Sequence, residues 1–107
     1  MDVMNLDEAP AFTTKDGSEI RELLAYRNSC IRNQTLAEAR VPEGCSTIAH
    51  RHGKTEEIYY ILEGSGTLIY DDQKVPVKQD DFMYLPINVK HGIANSSSAP
   101  IHVIVMG

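Results

Sequence analysis

Histidines at positions 50 and 52, followed by glutamate at 57, constrain this chain more than any other feature, because the stretch that carries them is otherwise strand-forming. Side chains on a strand alternate faces, so His50 and His52 point the same way. The Gly53-Lys-Thr55 segment reads as a turn that reverses the chain. Glu57 then opens the return strand, back beside the two histidines. A further histidine, His91, opens another strand behind a turn held by Pro86 and Asn88. Three strand segments therefore converge on one point. Three imidazoles and a carboxylate suit a divalent ion. Mixed nitrogen and oxygen donors favour iron, manganese, nickel, zinc, copper or cobalt over magnesium or calcium. Four protein ligands leave room on an octahedral ion for a substrate or for oxygen. A single histidine is usually surface or satisfied core, but three of the chain's four histidines share this pattern.

The residues from Gly44 to Gly64 resemble the first motif of the cupin superfamily, Gly-x5-His-x-His-x(3,4)-Glu-x6-Gly, at every fixed position. The second motif, Gly-x5-Pro-x-Gly-x2-His-x3-Asn, falls on Asp80, Pro86, Asn88, His91 and Asn95. Two glycines are thus replaced, by Asp80 and Asn88. Those glycines would serve turns at positive φ, which Asp and Asn tolerate best after glycine. The resemblance covers residues 18–106 and implies an all-β fold, a double-stranded β-helix barrel of the RmlC-like jelly-roll type. It also implies His50, His52, Glu57 and His91 as metal ligands.

Turn punctuation and β-branched content predict strands over 45–52, 57–63, 66–70, 81–85 and 100–106. Two segments conflict with an all-β reading. Residues 18–26 place Ile20, Leu23 and Leu24 at helical spacing, and Thr35 with Glu38 resembles a capping box. The family resemblance implies strands for both, and tertiary context overrides weak propensity. Residues 1–15 read as an irregular arm ahead of a single barrel domain, 16–107. Inward His50 and His52 bring Ser46 and Ile48 to the same face. An inward Glu57 brings Tyr59 and Ile61 with it. Ile58, Tyr60 and Leu62 then form an outward apolar row that needs covering. Small proteins resembling this one commonly dimerise, so a homodimer is expected.

At 107 residues the chain is one domain with enough length for a real core. A net charge of −5 argues against nucleic acid and anionic membranes as partners. No apolar run approaches a membrane span, and the acidic start is unlike a signal peptide. Cys30 and Cys45 make no CxxC pair, so a cytoplasmic protein with free thiols is expected.

The expected function is that of a metal-dependent enzyme acting on a small polar or carboxylate-bearing molecule. By family resemblance the chemistry is dioxygenase-, isomerase-, lyase- or decarboxylase-like. The alternative is a non-catalytic binding module for a small molecule or sugar. Tyr59 and His102 are the candidate catalytic residues, although packing and surface roles are the commoner ones for such positions. Arg40 is a weaker candidate for binding a carboxylate at the barrel mouth.

Overall fold

In the computed structural model of the chain, residues 3–47, 53 and 55–107 are described. They form strands β1 (Phe12–Thr13), β2 (Glu19–Leu24), β3 (Leu36–Val41), β4 (Glu57–Glu63) and β5 (Ser65–Tyr70). Strands β6 (Gln73–Lys78), β7 (Phe82–Leu85), β8 (His91–Ala94) and β9 (Ile101–Met106) complete the set. One sheet runs β1-β2-β3-β9-β4-β7 and the other β6-β5-β8, with every pairing antiparallel. The fold is the expected all-β cupin type. Both segments with helical spacing are strands. β3 is held on both edges, by β2 and β9, and its inward row of Ala37, Ala39 and Val41 faces Val105, Val103 and Ile101 across the pairing. Small apolar residues at period two fit that slot better than a short helix ended by Pro42.

The core lies between the sheets. Ala39, Val41, Tyr59, Ile61, Ile101 and Val103 from the large sheet pack with Leu68, Val77 and Ile93 from the small one. Every inward member of β4 expected from parity is inward. Tyr59 and Ile61 are buried, while Ile58 and Leu62 are exposed.

One expected strand is described only in part. Of the strand expected at 45–52, only 45–47 is described, and it makes a single antiparallel bridge, Ser46 to Ala94. Flanking bonds hold it beside β8: Thr47 N–H donates to Ile93 O at 2.8 Å and Asn95 N–H to Cys45 O at 2.9 Å. His50 and His52 lie outside the described residues. The expected arm carries a short 3-10 turn, Leu6–Glu8, and β1 ties it to β2. β6 was not anticipated, because Pro76 interrupts its pattern. Its place at a sheet edge explains the tolerance, since an edge residue's missing N–H leaves no ladder bond unmade.

The departures from the second motif are accommodated as expected. Asp80 has φ 71° and Asn88 φ 62°, both in the left-handed region. Gly64, at φ 95°, is also irreplaceable on space, since a Cβ there would lie 2.6 Å from the Pro100 carbonyl oxygen. Asn95 serves structure: its Nδ2 donates to Val41 O at 2.9 Å and to Ala99 O at 2.8 Å.

Asn88→Val should lower the unfolding free energy by about 1–2 kcal/mol, because a β-branched residue is strained in the left-handed region. Asn88→Gly should match or exceed the parent. Urea unfolding of both variants checks this, and equal losses would contradict a backbone origin.

Candidate metal site at the open end of the barrel

Three inward rows open toward the same end. Along β9, Ile101 and Val103 are buried and Val105 is half-buried. Along β3 the order is Val41, Ala39, then half-buried Ala37, and along β4 it is Ile61, Tyr59, then half-buried Glu57. The register sets Ala37 against Val105, and Val105 against Tyr59. Among the described residues the space between the sheets is therefore fully buried at one end and half-buried at the other. Glu22, the register partner of Ala37, shares that open level, as does Tyr70, the partner of His91.

Glu57 and His91 meet at this end, one from each sheet. His91 is 1% exposed, and its Nε2 lies 2.8 Å from Glu57 Oε1. Its Nδ1 faces the Val89 carbonyl at 3.0 Å. The ring is fixed from behind by backbone, and Nε2 is aimed at the carboxylate. Such an outer hydrogen bond orients a metal-ligating histidine. Burial opposes charge on His91, but the Glu57 hydrogen bond, the Val89 carbonyl and the Glu57 charge outweigh it, so its pKa is raised. An imidazole nitrogen and a carboxylate oxygen converging on one point fit half of a mixed N/O set for a transition metal. Among the described residues no third histidine, cysteine or carboxylate joins them. The other two expected ligands, His50 and His52, fall outside those residues.

Tyr59 stands one inward step below Glu57. It is 6% exposed and meets the His91 ring edge-on at 5.6 Å. Burial first, and the Glu57 charge second, push its phenol well above the ordinary tyrosine range, so it is a proton donor rather than a base. His102 takes the opposite parity on β9. It pairs with Arg40, between buried Ile101 and Val103, and its Nδ1 lies 3.8 Å from Glu63 Oε2. The sequence left the face of His102 open, and the strand places it on the outer face, away from the His91–Glu57 pair. Arg40 is outward too, and its Nε donates to Glu38 Oε1 at 2.7 Å. Sequence reading missed Val89, whose contribution is a carbonyl, and the rim residues Glu22, Ala37 and Val105. The last three were recoverable from strand parity once β2 and β3 were taken as paired.

A model of the cupin domain matches residues 37–107. An uncharacterized protein of Methanocaldococcus jannaschii is 44% identical over 98 residues, 92% of this chain and 78% of that protein. An oxalate-binding protein of Thermotoga maritima is 27% identical over 88 residues, 82% of this chain and 73% of that protein. The 1.2 Å structure of the polyketide cyclase RemF from Streptomyces resistomycificus superposes with a TM-score of 0.87 at 21% identity, covering 99% of this chain and 78% of that one. At that identity the likeness concerns the fold alone.

In metal-free protein, the raised pKa of His91 makes stability depend on pH. The pair stabilises fully below the unfolded-state value of 6.5, and its contribution is lost as pH rises through the higher folded value. Denaturant unfolding of chelator-treated protein should show stability falling over that window, and Glu57→Gln should flatten the fall. A parent profile already flat there would contradict the coupling.

Proposed function

This chain belongs to the cupin domain family, and on that premise we propose that it is a metal-dependent enzyme acting on a small polar or carboxylate-bearing molecule. The observation that carries the reading is the buried approach of His91 Nε2 to Glu57 Oε1 at 2.8 Å, bridging two sheets at the open end. His50, His52, Glu57 and His91 would hold the ion, and iron, manganese, nickel, zinc, copper or cobalt are the candidates. The ion would supply Lewis-acid polarisation or, if redox-active, dioxygenase-like oxygen chemistry. The residues of the chain do the rest. His91 is oriented by Val89, and Glu57 is backed by the chain end, where a Cβ on Gly107 would lie 3.3 Å from Glu57 Cγ. Two backbone bonds between Thr35 and Gly107, at 2.5 and 3.1 Å, hold that rim. Tyr59 donates and does not abstract a proton.

A second reading, a non-catalytic small-molecule binder, is supported by the raised pKa of Tyr59, which makes it a poor base. The oxalate-binding relative points the same way. Turnover lost in His52→Ala would favour the enzyme. Ligand-induced stabilisation without turnover would favour the binder. No helix among the described residues is long and apolar enough to cross a membrane.

A homodimer completes the proposal. Tyr84, Ile58 and Met106 form one outward row across β7, β4 and β9, with Tyr84 57% exposed, and Phe82, 73% exposed, lies in the next row opposite Tyr60. Tyr60 and Phe82 stack at 6.3 Å within it. A second copy covering this row would remove an apolar patch large for a monomer surface.

Protein purified without chelator should carry about one equivalent of transition metal. His50→Ala and His91→Ala should lose it, while His102→Ala, on the outer face, should keep it. Elemental analysis decides, and unchanged metal in His91→Ala would refute the site. Sedimentation should give a dimer for the parent and a monomer for Phe82→Asp. A monomeric parent at micromolar concentration would refute the interface.

A further inference from the structure

Asp71, in the turn between β5 and β6, takes a positive φ of 52° although it is not glycine. It follows Tyr70, the register partner of His91, so it stands opposite Lys90, one step along the same antiparallel ladder. In an unbroken ladder such a pair exchanges two backbone bonds. The first is made: Asp71 N–H donates to the Lys90 carbonyl at 2.7 Å. For the second, the chain leaves the ladder through a left-handed residue, and the carboxylate stands in for the backbone carbonyl. Asp71 Oδ1 accepts from Lys90 N–H at 3.1 Å. That N–H and the Val89 carbonyl belong to one planar peptide unit and point in opposite directions. The same carbonyl meets His91 Nδ1 at 3.0 Å. One rigid plate therefore has Asp71 at one edge and the imidazole at the other. Asn88, also left-handed at φ 62°, immediately precedes the plate. Two residues in a sparsely populated conformation thus bracket the segment that aims His91, and such strain gathers at functional sites.

We infer that Asp71 is a positioning residue for His91, holding the Val89–Lys90 peptide so that Nδ1 carries the proton and Nε2 presents its lone pair to a metal. The inference rests on the metal reading above. An ionised carboxylate accepts hydrogen bonds and donates none. If the peptide flipped, its carbonyl would face the Asp71 carboxylate, oxygen against oxygen, and its N–H would face Nδ1. Nδ1 would then be the acceptor, and a neutral imidazole would carry its proton on Nε2, the nitrogen that a metal needs bare. The Asp71 charge also polarises the peptide. That strengthens the carbonyl as an acceptor and raises the basicity of the ligand nitrogen.

The test compares Asp71→Gly, which accepts the left-handed turn but has no carboxylate, with Asp72→Gly, which removes the same charge one residue on. Zinc affinity, measured by competition with a chromophoric chelator, should fall about threefold to tenfold in Asp71→Gly and stay within about twofold of the parent in Asp72→Gly. In metal-free, isotope-labelled protein at about pH 6, the His91 Nδ1 proton should give a downfield nuclear magnetic resonance signal in the parent and in Asp72→Gly. In Asp71→Gly that signal should move upfield or broaden into water, a change that a merely weakened fold would not confine to this proton. An Asp71→Gly protein with the parent's zinc affinity or the parent's Nδ1 signal would overturn the inference. So would equal losses in the two variants. If Asp71→Gly does not fold, the Lys90 amide of the parent decides. Hydrogen exchange there slowed by about tenfold or more supports the clamp, and exchange at the unprotected rate overturns it. A parent that takes up no zinc, yet whose Nδ1 signal is lost in Asp71→Gly, would sink the metal reading and leave Asp71 as the residue that orients His91.

Discussion

The approach of His91 to Glu57 is the contact on which the rest of this molecule turns. It is a polar bond between two sheets that otherwise meet largely through an apolar core. Apolar packing sets how close the sheets lie but tolerates sliding, because dispersion and burial are only weakly directional. A hydrogen bond of 2.8 Å from a buried imidazole to a half-buried carboxylate does not tolerate it. The pair therefore fixes the sheets' relative position at the end where packing is thinnest, and Val89 prevents the imidazole from rotating away. The two groups thus supply rigidity at the end of the core where burial is least.

The outer face of the large sheet is divided along its strand order. On β2 and β3 it is charged, with Glu19, Arg21, Glu38 and Arg40 in register. On β4 and β7 it is apolar and aromatic. Glu38 is fully buried although it faces outward. Two arginines cover it, and its Oε2 has no hydrogen-bond partner among the described residues. The arginine pairing raises the Arg40 pKa, chiefly through the Glu38 hydrogen bond. Breaking a pair like this by removing one partner is costly, because it leaves a charge stranded away from water.

Much of this was legible in the chain, for reasons that differ by residue. The inward run Glu57, Tyr59, Ile61 followed from strand parity alone, because a pleated strand leaves no third option. The turns at Asp80 and Asn88 were legible because few residue types accept positive φ. Segments 18–26 and 35–40 could not be read locally. Their helical spacing is real, and only pairing with distant β9 and with each other makes them strands. The outward parity of His102 was hidden by a terminal run apolar on both faces, Ile101 through Met106, which has no alternation to read. Residues 45–47 were read as strand from composition, but a single bridge, with flanking backbone bonds and the Thr47 hydroxyl, sets them beside β8 without a named strand.

The unforeseen strand β6 has a consequence for how this protein behaves when crowded. It is a free edge of the small sheet and alternates Lys74, Pro76 and Lys78 with Val75 and Val77. A strand approaching that edge would meet two ammonium groups and a backbone position unable to donate. Lysine and proline at an edge block the strand addition by which sheets grow into fibrils. The same proline that hid the strand from sequence reading thus closes the small sheet to open-ended polymerisation. The edge is thereby barred from contacts that propagate.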